Sequence, residues 1–351
     1  MRLGLLALLL LGCSAPSQVD AGDPFLNRGP YASGSRHLSI TTDAGRTLPV
    51  EVWYPATGAT SSFPVEEFED GARRTQLASW VAQAPEACTP RTAHSTRDAP
   101  AADGTFPLLV FSHCTECFRF SLHTVAEHLA SHGFVVAAPD HVGNTRFDGG
   151  APLTNAFLEV RASDISGVID SMSSNPQVDP ARIAVFGHSF GAVTTARVVE
   201  RDSRVRGGFL IAAPADSPIL NAGALPRITK PLSFLLAMED NSISFVGNEF
   251  IRDNFTKGQR PTWLIEVENA GHWSPSDIAG LGGSYLPGCG DGVRDLDGGV
   301  FTYLDNELGR QITKRSVAAW ATFVLKDDSA AATALSTETP AGVVHVRSRR
   351  P

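Results

Sequence analysis

Short, almost wholly apolar runs recur through the middle of this chain: Phe106 to Ser112, Phe134 to Pro139, Ile183 to Phe186, Gly208 to Ala212, Leu232 to Met238 and Trp263 to Val267. Segments with helical spacing lie between or after them, at Ser121 to Ser131, Phe157 to Met172, Ala192 to Glu200 and Thr313 to Leu325. Fully apolar strands separated by helices predict an α/β fold: a mostly parallel central sheet with helices on both faces. Catalytic groups in such a sheet gather beyond the carboxyl ends of the strands. Two earlier runs, Arg36 to Ile40 and Pro49 to Tyr54, read as antiparallel strands joined by a turn at Asp43-Ala44-Gly45. A polar stretch from Ala56 to Thr105 follows, with a helix-like piece around Ala72 to Val81.

Gly187-His188-Ser189-Phe190-Gly191 sits where one of these strands meets a helix. A serine raised on a tight strand-to-helix turn has strained dihedrals, and the residues two away on each side must be small for strand and helix to approach. The same turn sets the Phe190 N–H at a helix N-terminus, pointing toward the atom that Ser189 would attack. The alternative is an ordinary glycine-flanked turn with a solvated serine.

A serine hydroxyl needs a base within reach and an acid to orient that base. On a strand-turn-helix nucleophile of this kind, both follow the serine in sequence. His272, in Asn269-Ala270-Gly271-His272-Trp273, stands just past the strand ending near Val267. The acid is expected after Leu232 to Met238, where Glu239 and Asp240 are adjacent. Asp240 is the first choice for its shorter side chain, Glu239 the reserve, and Asp216 a third candidate. The developing oxyanion needs two backbone donors, for which the sequence offers Phe190 N–H and, in Ser112-His113-Cys114-Thr115, Thr115 N–H.

Lys and Arg total 29 against 37 Asp and Glu, a formal charge of −8, with only the short Arg347-Ser348-Arg349-Arg350 group as a basic cluster. That balance argues against nucleic acid as a partner. Met1-Arg2, the apolar run Leu3 to Leu11 and Gly12-Cys13-Ser14 read as an export signal too short to span a bilayer. Leu10-Leu11-Gly12-Cys13 resembles the bacterial lipobox, which predicts an exported lipoprotein cleaved before Cys13, lipidated there and membrane-anchored. The expected organisation is a signal peptide over residues 1–12, a flexible tether over 13–30, one catalytic domain over 31–327 and an aperiodic tail over 328–351. Cys88, Cys114, Cys117 and Cys289 then remain in an oxidising compartment, with three possible pairings. Local pairing of Cys114 with Cys117 would leave Cys88 with Cys289.

Phe106-Pro107-Leu108-Leu109-Val110-Phe111-Ser112-His113, Phe118-Arg119 and Leu129 to His141 together resemble the platelet-activating-factor acetylhydrolase and dienelactone-hydrolase-like branch of the α/β-hydrolases. Val50-Glu51-Val52-Trp53-Tyr54-Pro55 and the Ser189 turn are similar to it too, so the likeness runs from about Arg36 to Lys326. Cutinase-like polyester-cleaving enzymes share the Ala130-Ser131-His132-Gly133-Phe134 type of block. The resemblance implies an α/β-hydrolase fold and a metal-independent serine hydrolase without cofactor. Its substrates would be carboxylic esters, small or short-acyl lipid. Two departures stand out: Cys114 occupies the usual glycine position of the oxyanion loop, and no carboxylate follows Gly208 to Ala212 until Asp216.

Other readings compete. His113, Cys88, Cys114 and Cys117 suit a Cys3His zinc site by residue type. Asp291, Asp295 and Asp297 hint at calcium, but their spacing misses the EF-hand pattern. A surface lipoprotein using a hydrolase scaffold for binding is the rival of a different class.

Overall fold

A computed structural model describes residues 22–149, 152–216, 219–220 and 225–350. The signal peptide and Cys13 lie outside the described residues. Ten strands form the main sheet: β1 (Ala32–Thr41), β2 (Thr47–Ala56), β3 (Thr96–Arg97), β4 (Phe106–Ser112), β5 (Val135–Pro139), β6 (Val178–His188), β7 (Val205–Ile211), β8 (Leu232–Ala237), β9 (Thr262–Val267) and β10 (Val344–Arg349). Their spatial order is β10-β9-β8-β7-β6-β4-β5-β2-β1-β3. From β5 through β9 every neighbouring pair is parallel, while β2 joins β5 and β10 joins β9 antiparallel.

The apolar runs are continuous because both faces of each central strand are covered. Leu109, Phe111, Ala184, Phe186 and Phe209 pack toward α1 (Gly71–Gln83), α2 (His123–Ser131), α6 (Asn306–Lys326) and α7 (Ser329–Leu335). Their neighbours Leu108, Val110, Ile183, Val185 and Leu210 pack toward α3 (Asn155–Ser173), α4 (Phe190–Arg201) and α5 (Ser244–Lys257). Successive residues of a strand point to opposite faces, so one sheet builds two cores. The chain turns from β4 to β5 on one side and to β6 on the other. That reversal opens the crevice in which open α/β sheets bind ligands, at the ends of β4 and β6.

The two ends of the chain differ from their sequence reading. Within the expected tether, Gly22 to Pro30 is docked on α2 and α6: Phe25 is buried, its carbonyl accepts from His128 Nε2 at 2.9 Å, and Asp23 pairs with Arg315 at 2.6 Å. One buried phenylalanine, an ion pair and hydrogen bonds from His128 and His132 and to Ser131 hold this polar stretch. The expected tail carries α7, capped by Asp328, and β10, which pairs along the whole of β9. It escaped periodicity because an edge strand is held by backbone pairing and by ions, here Arg347 to Glu266 at 2.9 Å, rather than by an apolar face.

Candidate active site

Ser189 links β6 to α4 with φ 55° and ψ −121°, a backbone conformation that L-residues adopt only under constraint. The constraint is visible on both sides. Its N–H donates to the Ile211 carbonyl at 2.8 Å, and the flanking glycines leave no room for side chains. A Cβ at Gly187 would lie 2.2 Å from the Gly191 carbonyl oxygen, and one at Gly191 would lie 1.8 Å from that of Ser112. Ser189 is half-buried between the buried His188 and Phe190, and its hydroxyl makes no hydrogen bond among the described residues. Phe190, as the first residue of α4, has an N–H without an intrahelical acceptor.

His272 follows β9 and Asp240 follows β8; both are buried. His272 Nδ1 lies 2.7 Å from Asp240 Oδ2, while Asp240 Oδ1 accepts from the N–H groups of Ser242 at 2.9 Å and Ile243 at 3.1 Å. The carboxylate is thereby oriented, and it holds a proton on Nδ1 so that Nε2 is the ring's basic nitrogen. The other acids stand apart from this histidine. Glu239 is ion-paired with Arg294, and the Asp216 N–H donates to Asn254 Oδ1 at 2.8 Å. His188, next to Ser189 in the chain, links the Ser189 turn to the His272 loop: its ring centroid is 5.0 Å from that of His272 and its Nε2 donates to the His272 carbonyl at 2.9 Å.

The loop after β4 carries Thr115, whose N–H makes no hydrogen bond to a described residue. Beneath the loop lies a buried polar cluster that sequence reasoning missed. Arg161 of α3 donates to Thr194 Oγ1 at 3.1 Å, to Ser112 Oγ at 3.1 Å, to the His113 carbonyl and to Asn144 Oδ1. Its guanidinium also lies 4.5 Å from the centre of the Phe190 ring. Burial lowers its pKa to about 9 against the pull of Asp164, leaving a cation at neutral pH. One side chain thus ties strand β4 to helix α4. The available signal was an arginine at the spacing of Leu158, Ala162 and Ile165, on the buried face of α3.

Two disulfides are present, Cys88–Cys289 and Cys114–Cys117. With those sulfurs joined and both His113 ring nitrogens hydrogen-bonded, the Cys3His set is not assembled. Among the described residues no group of three or more His, Cys, Asp or Glu side chains is arranged to hold a metal ion. No described helix is long and apolar enough to cross a membrane. The segment Gly280 to Gly299 is pinned from several sides. Cys289 reaches Cys88, Arg294 holds Glu239 and Asn269, and the Tyr285 hydroxyl donates to the Glu116 carbonyl. The Trp273 ring stands between those of His272 and Tyr285, at 4.8 and 4.7 Å.

Comparisons with known proteins agree with this architecture. Residues 65–205 match the Chlorophyllase family model. The chain is 27% identical over 180 residues to a platelet-activating factor acetylhydrolase of Bos taurus, covering 37% of this chain and 39% of that protein. It is 32% identical over 95 residues to Chlorophyllase-1, chloroplastic, of Citrus sinensis, covering 27% and 29%. Cutinase est2 of Thermobifida alba is 27% identical over 180 residues, covering 50% and 56%. The chain therefore aligns with well under two thirds of the length of each of these relatives. A ferulic acid esterase from Streptomyces cinnamoneus superposes with a TM-score of 0.63 at 21% identity, covering 85% of this chain and 91% of the other. The fold is that of the α/β-hydrolases, and the relatives lie in its esterase branch.

Proposed function

We propose that this chain is a serine hydrolase of carboxylic esters. Ser189 Oγ attacks the ester carbonyl, His272 Nε2 takes the hydroxyl proton, and Asp240 steadies the resulting imidazolium. The tetrahedral oxyanion is received by the N–H groups of Phe190 and Thr115. Collapse expels the alcohol, protonated by His272, and water then resolves the acyl-enzyme by the same steps. The observations that carry the reading are the 2.7 Å Asp240–His272 contact, a serine held at positive φ, and the 2.9 Å bond by which its neighbour His188 reaches the His272 main chain. The names of the relatives support esters as the substrate class, and short esters or short-acyl phospholipids are the proposed substrates.

A fluorophosphonate probe tests the reading directly. Stoichiometric labelling that disappears in Ser189→Ala is expected, with turnover across a chain-length series of p-nitrophenyl esters and one truncated phospholipid. Intact protein that stays unlabelled would instead fit a binding scaffold. We also propose that the enzyme works exported and anchored through a lipidated Cys13, a reading supported by Leu10-Leu11-Gly12-Cys13 and by the paired cysteines. Intact-mass analysis of the mature N-terminus, with and without Cys13→Ala, tests it.

A further inference from the structure

We infer that the Cys114–Cys117 disulfide and the neutral His113 imidazole form one positioning device, which aims the Thr115 N–H at the oxygen of the ester attacked by Ser189. The inference rests on the ester-hydrolase reading above.

The ring of His113 has a determined tautomer. Its Nε2 accepts the backbone N–H of His141 at 2.9 Å, so the proton sits on Nδ1, which lies 2.6 Å from the Cys114 carbonyl oxygen. Burial, with Arg161 and His141 nearby, holds the pKa of His113 well below the ordinary range, and the ring stays neutral. In a trans peptide the carbonyl and the following N–H point in opposite directions. A Cys114 carbonyl turned to the imidazole therefore turns the Thr115 N–H away from it. The loop sits hard against helix α4, since at Gly191 hydrogen is all that fits against the carbonyls of Ser112 and His113, and Arg161 ties the two together through Thr194, Ser112 and the His113 carbonyl.

The far side of the loop is closed covalently. Glu116 has φ 55°, a left-handed conformation in a residue with a Cβ. Its N–H donates to the Asn144 carbonyl at 3.0 Å, its carbonyl accepts from Tyr285, and Cys117 returns to Cys114 through sulfur. Thr115 and Glu116 thus lie inside a small ring with one end fixed by an imidazole and the other by a disulfide. Neither His113 nor the cysteines touch substrate; they act through the Thr115 amide.

The test uses the full chain, a soluble p-nitrophenyl ester and an arylboronic acid, which mimics the tetrahedral state. In Cys114→Ser/Cys117→Ser and, separately, in His113→Ala, kcat is expected to fall at least about tenfold, part of the loss that follows removal of an oxyanion donor. Boronate affinity should fall in proportion, with KM within about threefold. Cys88→Ser/Cys289→Ser should lower Tm and leave kcat near wild type. In the Cys88→Ser/Cys289→Ser background, where Cys114–Cys117 is the remaining disulfide of the described residues, dithiothreitol gives the same result: it supplies two electrons and two protons, the Cys114–Cys117 S–S bond becomes two thiols, and the reagent closes to its cyclic disulfide. Reoxidation should restore kcat. Unchanged kcat in the folded double variant and after verified reduction would overturn the inference, as would equal losses in KM and boronate binding. Wild-type protein that neither turns over esters nor takes up fluorophosphonate overturns the ester-hydrolase reading itself and this inference with it.

Discussion

The imidazole of His188 donates from Nε2 to the backbone carbonyl of His272 at 2.9 Å, so the residue immediately before the proposed nucleophile holds the main chain of the proposed base. Burial, then the nearby His272, keeps the pKa of His188 well below the ordinary value, which fixes it as a neutral donor. Its Nδ1 is buried without a hydrogen-bond partner, so Nε2 makes the ring's one hydrogen bond among the described residues.

Replacing that donor by a side chain of similar bulk should uncouple the base from the nucleophile. His188→Leu is expected to lower kcat by about ten- to a hundredfold, because small misplacements of catalytic groups are that costly. The leucine leaves the buried His272 carbonyl without its donor, so a modest loss of Tm is expected beside the loss of kcat, and kcat is read on the folded protein. Full activity in the variant would show that His272 is placed by its own loop alone.

Two adjacent carboxylates have separate duties. Asp240→Asn should lose about 10³–10⁴-fold in kcat, because an amide cannot hold the proton on His272 Nδ1 in the same way. Glu239→Gln, which weakens the half-buried pair with Arg294 and leaves the Asp240–His272 contact in place, should stay within a few-fold of wild type. Steady-state kinetics on one ester separates the two, and a reversed pattern would displace Asp240 from the mechanism.

Gly191→Ala places a methyl carbon where the Ser112 carbonyl oxygen already stands. Backbone on both sides must move, and overpacking of this kind typically costs about 1–3 kcal/mol. Esterase activity should fall well beyond the loss in stability, because the oxyanion loop and helix α4 are pushed apart. Chemical denaturation and kcat measured on the same preparation check this; a fall in neither would mean that the junction is compliant.

The buried histidines set an acid limit to folding. Burial is the leading cause that holds His113, His141 and His188 well below the usual value of 6.5, with Arg161 and His141 adding for the first, Arg161 and Arg46 for the second, and His272 for the third. Each remains neutral when folded but takes a proton when unfolded below that pH. Their contribution is therefore complete above about 6.5 and is lost as the pH falls, at about 1.4 kcal/mol per pH unit for each group. His123 runs the other way: burial opposes its charge and Arg310 repels it, yet Asp277 and Glu127 together raise its pKa. Its increment is present below 6.5 and lost as the pH rises through the raised folded value. His128, which burial holds down to about 3, and His132, lowered chiefly by burial, act in the same sense as the first three. Together these groups outweigh His123, so unfolding free energy from urea titrations should drop by about 4 kcal/mol between pH 6.5 and 5.5. A flat profile would contradict neutral burial of these rings.

Most of the central sheet was legible because its strands are covered on both faces and therefore read as unbroken apolar runs. The Ser189 turn was legible because backbone contact demands glycine at 187 and 191. What escaped was held by partners distant in sequence. Arg161 is explained by Ser112, His113, Asn144 and Thr194, which the fold brings to it, and α5 has polar residues such as Asn248 and Asn254 among its buried ones. His113 and His188 were visible as residues, but their duties depend on a single accepted or donated bond. β10 and the docked Phe25 segment have too little apolar content to announce themselves.

Strand β10 has a consequence for how the chain can be shortened. Every residue of β9 is buried, and its outer row of peptide groups is satisfied only by Val344 to Arg349. A chain ended at Asp327 would keep all the proposed chemistry yet present a bare, apolar strand margin to its neighbours, a template for self-association. The arginine-bearing terminus is thus a seal on the sheet, and solubility should depend on it even where catalysis does not.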